Sequence, residues 1–225
     1  MTRLPTVISL DVGGTLIEPW PSVGVVYEDA AHAAGLPELD PAMLNRQFFA
    51  AWRTVRKLPG GFDYSRGAWA DLVRRTFGEA LPADQADVVF ESIWHRFTRP
   101  EVWRIFPEVR ETLEAWKSQG FRLTVLSNWD ERLIPLLKEL RLDTFFEDIV
   151  VSGAVGFHKP NPVVFRLAER RWGVAPGEIL HVGDSEAEDF LGPTEAGWQA
   201  MLVDRSGVNS HGSRPDLGEI LRSMG

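Results

Sequence analysis

The chain contains no cysteine among its 225 residues. Disulfides and thiolate metal centres are therefore excluded. It also lacks a basic excess: 24 Lys and Arg stand against 32 Asp and Glu, a net charge of −8. A general nucleic-acid binder shows the opposite balance. An anionic small molecule remains compatible, because the field of a pocket is set locally. No apolar run approaches the roughly 20 residues of a membrane span. The short apolar stretch before Asp11 lacks the layout of a secretory signal. A cytoplasmic location is expected, with no nucleic-acid or membrane partner. Internal repeats and low-complexity segments are missing too. What is present is an ordinary globular composition, 44% hydrophobic and 25% charged.

One further absence sits inside a motif. Residues 7–16 read Val-Ile-Ser-Leu-Asp-Val-Gly-Gly-Thr-Leu. An apolar run delivers Asp11, a glycine-rich turn follows, and Thr15 comes next. The pattern suits an aspartate at the end of a buried strand, placed to attack an electrophile. Most enzymes built this way carry a second aspartate two residues on, as a general acid. Here that position is Gly13, which can neither give nor take a proton.

The apolar periodicity predicts Val7–Leu10 as a first strand, followed by a helical block. Helices are expected over 22–34, 42–57, 65–77 and 83–97, the second opened by Asp40-Pro41. Beyond Pro107 the pattern alternates. Helices over 109–119, 131–140, 163–172 and 187–196 separate strands over 123–126, 149–151, 179–182 and 201–203. Such alternation implies a parallel sheet with helices on both faces. The expected fold class is α/β. A doubly wound, Rossmann-like parallel-sheet core comprises 1–17 and 101–225, and a helical cap domain, 18–100, is inserted into it. Hinges are expected at 18–23 and 100–106.

Sites in open parallel sheets form at the carboxyl ends of strands. The expected strand ends supply Asp11, Ser127 with Asn128, and Asp184 with Ser185. The stretch Gly156-Phe-His-Lys159-Pro-Asn-Pro162 sets a lysine in a proline-braced turn, and Asp189 can reach back into the same cleft. Together these are a nucleophile, a hydroxyl donor, a fixed cation and an acidic pair.

In these residues the chain resembles the haloacid dehalogenase-like hydrolases. The family's four motifs look like Asp11-Val-Gly13-Gly-Thr15-Leu, Val125-Leu-Ser127-Asn128, Lys159-Pro-Asn-Pro162, and His181-Val-Gly183-Asp184-Ser185 with Asp189. The helical block is similar to the cap of the subgroup that carries it between the first two motifs. The resemblance implies that Asp11 attacks phosphorus and forms an aspartyl-phosphate. Ser127 would bind a phosphoryl oxygen and Lys159 would neutralise charge there. Asn128, Thr15 and Gly14 are expected to contact substrate. Mg²⁺ would be held by Asp11, the Gly13 carbonyl and Asp184, with its waters oriented by Asp189. The implied activity is Mg²⁺-dependent hydrolysis of a small phosphorylated metabolite, by a monomer or homodimer.

Gly13 removes protonation of the leaving group, which is worth roughly 10²–10⁴ in rate. Good leaving groups are therefore favoured, and Gly13→Asp is expected to raise turnover of sugar phosphates. Two alternatives stand beside this reading. True 2-haloacid dehalogenases also lack the second aspartate, but usually carry serine and asparagine in place of Gly183-Asp184. A catalytically impaired binding protein would have lost the general acid by decay. Trp52, Trp69, Trp94 and Trp116 are expected in helix-packing cores. Trp129 is expected to overhang the cleft and Trp20 to line its entrance. Arg53, Arg56, Tyr64 and Arg66 are candidates for the cap's substrate face, and His158 for a substitute proton donor.

Overall fold

The computed structural model describes residues 5–58, 61–205 and 212–224. The chain divides into two compact units, Met1–Glu18 with Ile105–Gly225, and Pro19–Arg104. In chain order the strands are β1 (Val7–Leu10), β2 (Ile17–Pro19), β3 (Trp103–Ile105), β4 (Arg122–Ser127), β5 (Asp148–Val151), β6 (Ile179–Gly183) and β7 (Gln199–Leu202). Five of them form one parallel sheet in the order β5-β4-β1-β6-β7. β1 is buried along its whole length, which explains its continuous apolar run.

The chain builds β4 and β5 on one side of β1, then returns to build β6 and β7 on the other. That reversal opens a crevice at the carboxyl end of β1. Leu10 is in register with Val125 on one side and Val182 on the other. Asp11, Ser127 and Asp184 lie within two residues of that line, so they emerge together.

The unit Pro19–Arg104 is helical: α1 (Val23–Ala33), α2 (Pro41–Val55), α3 (Arg66–Phe77) and α4 (Ala86–Arg96). Side-chain oxygens of Ser22, Asp40 and Ser65 accept from the Val25, Ala42 and Ala68 amides and start the first three. Tyr27, Leu44, Phe77, Val89 and Ile93 make its core. Trp94 joins that core, while Trp52 and Trp69 are partly buried. Tyr64 departs from the expected substrate face. It is 5% exposed and packs against Trp52, Phe62 and Trp69. The apolar area of the ring outweighs the polarity of one hydroxyl.

β2 and β3 pair as a short ribbon that overlaps the two segments expected to be hinges. Each has three residues, too few to show a period. The sheet unit adds α5 (Val109–Ser118), α6 (Leu133–Glu139), α7 (Ser152–Val155), α8 (Pro162–Trp172), α9 (Gly192–Glu195) and α10 (Leu217–Met224). Trp116 is fully buried in α5. The helix expected over 187–196 is instead a π-helical turn, Glu186–Leu191, running into α9. Within this turn Asp189 Oδ2 accepts from the Ser185 amide at 2.9 Å. No helix among the described residues is long and apolar enough to cross a membrane.

α1 and α2 touch through Gly24. A Cβ at this position would stand 2.0 Å from the Pro41 carbonyl oxygen. Gly67, exposed in α3, has only the Ser65 hydroxyl nearby, at 3.9 Å from such a Cβ. Gly24→Ala should therefore cost about 1–3 kcal/mol or more by overpacking. Gly67→Ala should stabilise the helix by roughly 0.5–1 kcal/mol. Urea denaturation of the two variants checks the opposite signs.

Candidate active site

Asp11 follows β1 directly and is buried, with its amide donating to the Val182 carbonyl at 2.9 Å. Its Oδ1 accepts from Ser127 Oγ at 3.0 Å and from Lys159 Nζ at 2.9 Å. Both bonds fall on one oxygen, so Oδ2 is the one left for a further partner. Lys159 is wholly buried and also donates to Asp189 Oδ1 at 2.5 Å. The lysine is positioned through its backbone. Asn128 Oδ1 accepts from the Lys159 amide at 2.7 Å, and Asn128 Nδ2 donates to the Lys159 carbonyl at 2.8 Å. Both ends of the Asn128 amide are thus used as a clamp on the lysine turn.

Behind Lys159 lies a polar chain inside the sheet. His181 Nε2 is 3.0 Å from Asp189 Oδ1, and His181 Nδ1 is 2.9 Å from Ser9 Oγ. Ser9 and His181 are register partners on β1 and β6. Burial first, then the Lys159 charge, lowers the His181 pKa to about 4, so the ring is neutral. A neutral ring donates from one nitrogen only. The carboxylate requires Nε2–H, so Nδ1 accepts the Ser9 hydroxyl. Gly183 makes room for this arrangement: a Cβ there would lie 2.2 Å from Asp189 Cγ.

Asp184 stands beside Asp11. Asp11, Asp184 and Asp189 offer carboxylate oxygens within 4.8 Å of one another. Gly14, at φ +76°, lets the loop pass Asp184, since a Cβ there would be 2.3 Å from Asp184 Oδ2. Three carboxylates against one ammonium leave an excess negative charge of two. Burial raises the Asp11 pKa to about 6, with Lys159 opposing and Asp189 adding to the rise. Asp184 is raised well above the ordinary range by desolvation, then by the negative neighbours Asp11 and Asp189. Its surface is nonetheless open to water, so the neighbouring charges are the firmer cause. Burial alone would raise Asp189, but Lys159 and His181 hold it below the ordinary range. Burial alone would lower Lys159, but Asp11 and Asp189 keep it charged.

Hard oxygen donors with two uncompensated charges fit a hard divalent cation such as Mg²⁺. Asp11 Oδ2 and Asp184 are open to it. Asp189 has both oxygens engaged by Lys159, His181 and Ser185, and so braces the site from behind.

The remaining loop residues shape the site. The Gly14 amide donates to the Ile17 carbonyl at 2.8 Å and the Thr15 amide to Val12 at 3.3 Å. The Thr15 side chain is fully buried. Among the described residues, the amides of Val12 and Gly13 have no protein acceptor. Arg205 holds the loop from outside. Its Nη2 donates to the Thr15 carbonyl at 2.8 Å and to Glu108 Oε1 at 2.7 Å, and its guanidinium lies 3.5 Å over the Phe106 ring. No sequence motif marks Arg205. His181 was visible as a polar residue inside an apolar strand, opposite another at Ser9. The Trp129 ring packs over Gly13 and is partly exposed. Trp20, in the helical unit, is 43% exposed with Arg104 3.7 Å over its ring.

A family profile for haloacid dehalogenase-like hydrolases matches residues 5–197. The chain belongs to this family. The hydrolase is 34% identical over 222 residues to haloacid dehalogenase-like hydrolase domain-containing protein 3 of Danio rerio. That match covers 95% of this chain and 91% of the relative. It is 38% identical over 164 residues to a glyceraldehyde 3-phosphate phosphatase of Methanothermobacter thermautotrophicus, covering 68% of each. Among solved structures it is similar to the magnesium-bound HAD-hydrolase YfnB of Bacillus subtilis. The TM-score is 0.82 at 16% identity, with 99% of both chains covered. At that identity the likeness concerns the fold alone.

Removing Lys159 leaves buried carboxylates unpaired. Lys159→Met should cost about 3–5 kcal/mol near neutral pH in divalent-free buffer. Without the ammonium, Asp11 and Asp189 titrate above their unfolded values. Stability is then retained at low pH and lost as pH rises through the raised values. The deficit against wild type should shrink toward pH 5, as read by chemical denaturation across that range.

Proposed function

We propose that this hydrolase is an Mg²⁺-dependent phosphatase that transfers the phosphoryl group of a small metabolite to Asp11 and then to water. The observation that carries this reading is the state of Asp11. One of its oxygens is pinned by Ser127 and Lys159, and Asp184 offers a carboxylate oxygen to the same site. An oriented carboxylate next to a buried cation is what attack on phosphorus requires. The Asp11 carboxylate is the nucleophile. Lys159 and the amides of Val12 and Gly13 receive the phosphoryl oxygens, and Ser127 orients the Asp11 carboxylate. Asn128 fixes the lysine turn, Asp189 and His181 fix its ammonium, and Gly14 and Thr15 fix the loop. Asp11, Asp184 and the Gly13 carbonyl would hold Mg²⁺, which would supply charge neutralisation on the transferring group.

The phosphatase relatives support a small phosphorylated substrate. The Asp184 cluster favours phosphoryl transfer over dehalogenation, because displacing halide from carbon needs no second carboxylate beside the nucleophile. We assign the helical unit the role of a cap that excludes water during transfer.

Phosphate release from p-nitrophenyl phosphate and acetyl phosphate should depend on Mg²⁺ and fall by about 10³-fold or more in Asp11→Asn. Release that is unaffected by that substitution contradicts the reading. Mg²⁺ should also raise the melting temperature by mass action. The shift should be larger near pH 8 than near pH 5, since protons compete for Asp11 and Asp184 at the lower pH. Differential scanning fluorimetry of wild type and Asp184→Asn checks both points, and the variant should show little shift.

A further inference from the structure

The side-chain space of Gly13 is filled. A Cβ at this position would stand 3.1 Å from Cζ3 of Trp129, and 3.9 Å from Cε3 and Cη2. The benzo edge of the indole covers the direction that any larger residue would take. A contact of this length is shorter than the optimum of about 3.5–4.0 Å between carbon atoms. Even alanine therefore requires the ring to yield.

The ring is held in place by its backbone. The Trp129 amide donates to Ser152 Oγ at 3.0 Å, and that hydroxyl donates back to the Trp129 carbonyl at 3.0 Å. The Gly153 amide donates to the same carbonyl at 2.8 Å. Gly153 sits so close that a Cβ there would be 2.9 Å from the Trp129 carbonyl oxygen. The next residue, Asp130, is buried and ion-paired with Arg132 at 2.6 Å. The indole is thus anchored on both sides of its Cα.

A bare glycine would leave space for a water molecule, able to donate a proton where the aspartate side chain is missing. The C–H edge of an indole donates none and displaces that water. Of the neighbouring side chains, Ser127 and Lys159 donate to Asp11, and His181 lies against Asp189.

We propose that Trp129 sets the leaving-group specificity of this enzyme, by filling the side-chain space of Gly13 and keeping proton donors, water included, from that flank of Asp11. The selected substrates are acyl phosphates and phosphate esters of acidic hydroxyls. This assignment rests on the phosphatase reading. In the first step an Asp11 oxygen bonds to phosphorus as the bond to the leaving oxygen breaks. The electron pair stays on that oxygen, which departs as an anion. Water then bonds to phosphorus, the Asp11–phosphorus bond breaks, and the water's proton passes to solvent with release of phosphate.

The expectation that Gly13→Asp alone raises sugar-phosphate turnover changes accordingly, because the aspartate meets the indole. The test is kcat/KM for a series of substituted phenyl, benzyl and alkyl phosphates, with the melting temperature of each variant. In wild type the rate should fall steeply as leaving-group pKa rises. Trp129→Ala should flatten this dependence, improving alkyl over nitrophenyl substrates by about tenfold or more, within the span of general acid help. Trp129→Phe should keep the steep slope. Gly13→Asp should melt lower than wild type, and Gly13→Asp with Trp129→Gly should regain stability and show the shallowest slope. Equal slopes in wild type and Trp129→Ala overturn the assignment. So does a Gly13→Asp single variant of unchanged stability and flattened slope. A wild type that turns over the whole series with a shallow slope sinks the Trp129 role alone. A wild type with no Asp11-dependent turnover of any member sinks the phosphatase reading and this inference together.

Discussion

Lys159 Nζ lies 2.9 Å from Asp11 Oδ1 and 2.5 Å from Asp189 Oδ1, with no exposure to water. Taking an ammonium out of water costs several kcal/mol, and only close, well-satisfied partners offset it. Every element near the site serves that balance. Asn128 holds the lysine turn, His181 and the Ser185 amide hold Asp189, and Ser127 holds Asp11. The sheet supplies the frame, because β1, β4 and β6 run in register and end within two residues of one another beneath these groups. The charge that remains after Lys159 is matched is negative, and that remainder is what makes a divalent cation the natural complement.

Glycine positions in the motifs are shaped by what faces them. Gly14 gives way to Asp184, Gly183 to Asp189, and Gly13 to Trp129. In the first two cases the neighbour is a carboxylate that the site uses. In the third it is an aromatic edge with no proton to offer. The same device, a missing Cβ, thus builds charge in two places and removes a proton donor in the other.

Much of the fold was legible because burial leaves a one-dimensional trace. The continuous apolar run of β1 and the caps at Ser22, Asp40 and Ser65 mark their elements directly. β2 and β3 left none, being three residues each. The π turn at Glu186–Leu191, inside which the Ser185 amide donates to Asp189, was hidden because it shares its residue pattern with an ordinary helix. In the site, the motif residues were readable as chemistry but not as contacts. Asn128 has the polarity of a substrate ligand, yet its amide is spent on the Lys159 backbone. Arg205 reaches Thr15 from 190 positions away in sequence, and no local pattern records such a contact. Tyr64 and Trp129 show a limit of another kind: an aromatic in a loop carries no sign of which surface it covers.

As the proposed nucleophile, Asp11 carries the phosphoryl group between substrate and water. Mass spectrometry of protein quenched in acid during turnover of acetyl phosphate tests it most directly. A transient phosphoryl adduct is expected on the peptide containing Asp11, formed before phosphate release and absent from Asp11→Asn. Turnover without an adduct on that peptide, or with the adduct on another residue, would contradict it.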